Sequence, residues 1–89
     1  MRAIVTVVGK DKTGIIAGVS GYLSQKEINI LDISQTIMQD IFTMIMLVDT
    51  GASDIKADVL SRDLKDLGDD LGVEIKVQHE GLFSSMHRI

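Results

Sequence analysis

The stretch from Ala3 to Ile33 constrains this chain more than any other part of it. Ala3-Ile4-Val5-Thr6-Val7-Val8 is β-branched apart from its first residue and stops at Gly9. Such a run reads as a strand buried on both faces, and hence as a central one. Gly9-Lys10-Asp11-Lys12-Thr13-Gly14 is then a tight turn. Beyond it Ile16, Val19 and Leu23 recur at helical spacing and share one face. The spacing predicts a helix over 14–26, with the Thr13 hydroxyl as its N-cap. Gly18 and Gly21 cost that helix propensity, and their use is to let it lie close to the sheet or to a partner chain. At Glu27-Ile28-Asn29 the helix gives way to a second strand-like run. A turn of this kind exposes backbone N–H groups and a carboxylate at one end of a sheet. That suits binding a small polar ligand better than catalysis.

The remaining elements follow by the same rules. Ile30 to Met38 reads as strand two, Gln39-Asp40 as a tight break, and Ile41 to Val48 as strand three. Two residues between two such runs is a hairpin length, so these strands are antiparallel neighbours. Asp54 to Leu67 reads as a second helix, with Val59, Leu60, Leu64, Leu67 and Leu71 at helical spacing, capped by Ser53 or Asp54. Asp54 and Asp58 complement the positive end of its dipole. Val73, Ile75 and Val77 alternate with Glu74, Lys76 and Gln78, the pattern of a half-exposed edge strand. Leu82, Phe83, Met86 and Ile89 then predict a short C-terminal helix.

The order strand-helix-strand-strand-helix-strand is the split βαβ, or ferredoxin-like, α+β arrangement. It predicts a four-stranded antiparallel sheet with both helices on one face. The expected organisation is one domain over 1–89, with a core over 1–80 and an extension over 81–89. Strand three carries Phe42, Met44, Met46 and Val48 on one face and Ile45 and Leu47 on the other. Helices cover only one of these faces. The expected cover for the other is the C-terminal segment together with a second copy of the chain.

Composition removes several function classes. The net charge is −4 and the nine basic residues form no run, so a phosphate backbone would be repelled. A ferredoxin-like RNA-binding domain would also need stacking aromatics on its central strands, where strand one offers Val, Thr and Ile. There is no cysteine. That leaves no thiolate metal site and no cysteine nucleophile, and it fits a reducing compartment. No apolar run approaches the roughly 20 residues that span a bilayer. The expectation is a cytoplasmic chain without nucleic-acid or membrane partners and without a cofactor.

His79 and His87 are read as solvated residues and not as a metal pair. Asp11 and Asp32 would come together if the two turns shared one end of the sheet, and could then act as acid and base. No histidine or other base converges on them, and an Asp at a turn ordinarily bonds backbone N–H groups. Asn29 has a similar plain reading, since Asn tolerates left-handed backbone and ends helices. No catalytic residue and no metal site is assigned, and the chain is not read as an enzyme.

Val8-Gly9-Lys10-Asp11-Lys12-Thr13-Gly14-Ile15-Ile16-Ala17-Gly18-Val19-Ser20, then Leu23, then Ile28-Asn29-Ile30-Leu31-Asp32-Ile33-Ser34-Gln35 together resemble an ACT domain. More narrowly, the chain resembles the stand-alone single-ACT proteins of prokaryotes, which have no fused enzyme. The resemblance implies a regulatory module that binds an amino acid or another small effector and pairs into a homodimer. It implies a site at the dimer interface, with Asp11, Gly14, Ile15 and Ile16 as one wall and Asn29, Ile30 and Asp32 as the other. N–H groups of residues 14–16 at a helix start would suit a ligand carboxylate, and Asn29 or Asp32 its amino group. With no catalytic domain attached, the regulated target would be a separate protein. A ligand-free dimerisation scaffold is the alternative, and a small enzyme using Asp11 and Asp32 is a more distant one.

Overall fold

The computed structural model describes residues 2–10, 13–51 and 53–80. Six elements follow in order: β1 (Arg2–Lys10), α1 (Ile15–Gln25), β2 (Asn29–Met38), β3 (Ile41–Asp49), α2 (Ala57–Leu71) and β4 (Glu74–His79). The strands form one antiparallel sheet in the order β2-β3-β1-β4. This is the expected ferredoxin-like sandwich. β1 is central and β4 is an edge, as their residue patterns predict. The expected C-terminal helix over 81–89 lies outside the described residues.

One apolar layer joins the helices to the sheet. Val5 and Val7 of β1 and Met44 and Met46 of β3 meet Val19 and Leu23 of α1 and Leu60 and Leu64 of α2, all essentially inaccessible to solvent. With only two phenylalanines and no tryptophan in the chain, flexible methionines fill the centre of this layer. On β3 the alternation is complete on this side, with Phe42, Met44, Met46 and Val48 all buried.

Four local expectations need correction. β1 is not buried throughout, because its open-face residues emerge towards the turn: Ile4 is buried, Thr6 half-buried and Val8 39% exposed. On α1 the first residue in the core is Ile15, while Ile16 points outward. Of the two helix glycines, Gly18 faces Leu71 of α2 and not the sheet, and a Cβ at Gly21 would meet nothing within this chain. The left-handed residue after α1 is Glu27, at φ 60°, and Asn29 is already in β2.

Both helix starts also differ from expectation. Gly14 holds the N-cap position of α1 in left-handed backbone (φ 91°), and no side chain caps the helix. Thr13 therefore lies one residue outside the cap. α2 begins at Ala57 with Lys56 at its N-cap. The Ser53 hydroxyl instead accepts the Ile55 N–H at 3.2 Å, a local turn that holds the chain extended before the helix. Asp58 is the one acidic residue in the first turn of α2.

Candidate functional site

The sheet register fixes where the two expected walls lie. Lys10 of β1 is opposite Ile41 of β3, and Ile41 is opposite Met38 of β2. The turn after β1 therefore lies at the end of the sheet that carries the β2–β3 hairpin. Arg2 is opposite Asp49, and Asp49 is opposite Asn29. The start of β2 is thus at the other end. At the rise of an extended strand the two levels are roughly 25 Å apart. In a βαβ crossover the helix must run back along the sheet, so its two connecting turns face opposite ways. The idea that both turns share one sheet end is incorrect for a single chain. Asp11, the other member of the suggested acid–base pair with Asp32, lies outside the described residues.

At that end the wall is built from backbone. Gly14 accepts the Gly18 N–H at 2.8 Å, which closes the first turn of α1. By helix geometry the N–H groups up to Ala17 have no partner within the helix. Left-handed backbone at Gly14 sets their direction, and a residue with a Cβ would adopt it at a cost. The Ile15 side chain is in the core at 2% exposure, so only its backbone can meet a ligand. Ile16, at 42% exposure, offers an aliphatic surface beside those N–H groups.

The other wall depends on an irregularity in β2. The ladder pairs Ile30 with Val48 and then Asp32 with Leu47, so Leu31 is an extra residue, a β-bulge. In an unbroken strand Asn29 and Asp32 would point to opposite faces. The bulge places both on the face away from the helices, opposite Asp49 and Leu47 respectively. Ile30 lies on the helix side, opposite Val48. Asp32 Oδ1 accepts the Ile33 N–H at 2.9 Å, a short local bond made among the described residues. Asp32 lines a shallow hollow of about 120 Å³ with Ile4, Ile33, Ser34, Ile45 and Leu47. Sequence reasoning missed this bulge. The only signal was the break in alternation at Ile30-Leu31, two adjacent apolar residues ahead of a charge.

Among the described residues no cluster of three His, Cys, Asp or Glu could hold a metal ion. His79 is the last residue of β4, and His87 lies outside the described residues. Among the same residues no helix is long and apolar enough to cross a membrane.

The sequence profile described as "ACT domain" matches residues 2–78. The UPF0237 protein of Clostridium acetobutylicum is 58% identical over 89 residues, covering all of both chains. Among solved structures, the ACT domain protein from Streptococcus pneumoniae superposes with a TM-score of 0.79 at 41% identity, covering 100% of this chain and 97% of the other. The regulatory subunit of aspartate kinase from Thermus thermophilus, in its ligand-free form, shares the fold at a TM-score of 0.66 and 23% identity, covering 86% of this chain and 50% of that one.

Proposed function

The chain belongs to the ACT domain family, a family of regulatory ligand-binding modules, and from that premise we propose that it is a cytoplasmic effector sensor. In this reading it binds an amino acid as a homodimer and acts in trans on a separate protein. The observation that carries the reading is the separation of the two walls. Backbone N–H groups suited to a carboxylate lie at one end of the sheet. Asn29 and Asp32, suited to an ammonium group, lie together at the other. A molecule the size of an amino acid cannot bridge roughly 25 Å. Two chains related by a two-fold axis can join the N–H wall of one to the carboxylate wall of the other, twice.

Titration calorimetry of the full chain with the proteinogenic amino acids tests this proposal. The expected result is saturable heat with one or more of them, at one ligand per chain. Asp32→Asn and Asn29→Ala should each abolish that heat while preserving the fold. A homodimer that gives no heat with any amino acid would favour the ligand-free scaffold. A monomer by light scattering at micromolar concentration would remove the composite site altogether.

A further inference from the structure

Both helices cover one face of the sheet, and the opposite face has an apolar centre of its own. Alternation along the strands puts Ile4, Thr6 and Val8 of β1 there, with Ile45 and Leu47 of β3. The register sets these side chains in rows. The first row is Gln78, Ile4, Leu47 and Asp32, and the second is Lys76, Thr6, Ile45 and Ser34. On a bare sheet face a side chain stands roughly perpendicular to the sheet and keeps its tip in water. Ile4 does not: it is 7% exposed, and its row neighbours Gln78 and Leu47 are half-buried. One row further on, Ile45 is 37% exposed and Lys76 is exposed. Cover on this face is therefore concentrated on the first row.

The chain leaves β4 beside that row. Ala3 is opposite His79, so Glu80 is level with Arg2, and their side chains pair at 3.1 Å on the open face. The backbone at Glu80 is helical and no longer extended. Nine residues follow it, 81–89. Leu82, Phe83, Met86 and Ile89 share one helical side of that segment, and Ser84, Ser85, His87 and Arg88 the other. A helix of that length is about 14 Å long. From β4 to β2 is three strand spacings, also about 14 Å. Laid across the strands from Glu80, such a helix would bring Phe83 over Ile4, Met86 over Leu47 and Ile89 to the hollow beside Asp32. A segment joined directly to this face competes at an effective concentration in the millimolar range, about a thousandfold above a second chain at micromolar concentration. That favours the chain's own end over another copy as the cover.

We propose that residues 81–89 form a helix that crosses the open face from β4 to β2 and packs Leu82, Phe83, Met86 and Ile89 onto Ile4 and Leu47. The helix roofs the hollow that Asp32 lines with Ile45 and Leu47, so the chain's own end closes that side. This packing stands whether or not an effector binds.

Paired cysteines in the full chain test this, since the sequence has none of its own. Leu47→Cys with Met86→Cys should be joined within one chain by a short bis-maleimide. Thr43 is on the same face of β3, four residues and roughly 13 Å further along. Thr43→Cys with Met86→Cys should therefore link more than about tenfold more slowly. Denaturing electrophoresis separates a link within a chain from one between chains. Links formed only between chains would overturn the proposal in favour of a second copy as the cover. Equal rates for the two pairs, or no link in either, would overturn it as well. Hydrogen exchange of the unaltered chain needs no variant to fold. Backbone amides after Ser84 should exchange at least about tenfold more slowly than in a free peptide of residues 81–89, and unprotected amides there would overturn the helix.

Discussion

The Tyr22 hydroxyl on α1 donates a hydrogen bond to Asp63 Oδ2 on α2 at 2.7 Å, a direct polar clasp between the helices. Burial, and then the hydrogen bond to the carboxylate and its charge, push the Tyr22 pKa well above its ordinary value. A pKa raised in the folded state means that the stabilisation is fully present below the unfolded value of about 10 and is lost as pH rises above it. Tyr22→Phe should lower stability by about 1 kcal/mol at neutral pH. It should also flatten the alkaline fall in stability. Urea unfolding of both proteins at neutral pH and above pH 10 reads both effects; equal alkaline slopes would contradict them.

Gly68 on α2 leaves no room for a side chain. A Cβ there would lie 2.8 Å from the Val73 carbonyl oxygen and 3.0 Å from Ile75 Cγ1. The Val73 N–H also bonds to the Gly68 carbonyl at 2.9 Å, so the chain cannot simply back away. Gly68→Ala should cost about 1–3 kcal/mol, measured as a lower thermal midpoint, although alanine is the better helix former.

Two methionines on neighbouring strands should respond very differently to truncation. Met44 is fully buried at the centre of the core, whereas Met38 is 69% exposed beside the hairpin. Met44→Ala should lose about 2–5 kcal/mol. Met38→Ala should stay within about 0.5 kcal/mol. Chemical denaturation of the pair compares them under one condition, and comparable losses would contradict the core described above.

The elements were legible in the sequence because their periods are distinct. Ile75 and Val77 alternate with polar residues on the β4 edge; Leu60 and Leu64 lie one helical turn apart and are buried. Element starts were less legible where side chains offered competing hydrogen bonds. Ser53 resembles a helix cap but closes a turn onto Ile55, so α2 begins at Ala57. The wall residues could be named, but their relative placement could not. From the sequence the turn after β1 and the turn before β2 read as sharing one end of the sheet; α1 runs the length of the sheet between them, so Gly14 and Asn29 lie at opposite ends. No residue type announces the surplus residue at Leu31, since bulges are set by pairing across strands and not by local composition.

That surplus residue makes the length of this segment matter as much as its content. Deleting Leu31 would leave the ladder from Asp32 to Met38 free to keep its register with β3. It would also rotate Asn29 out of line with Asp32, so that the two amide- and carboxylate-bearing positions no longer address the same ligand. A relative one residue shorter here could therefore retain every matching letter and still have lost the wall. Chains of this family are best compared by counting residues between the asparagine and the aspartate before asking whether either is present.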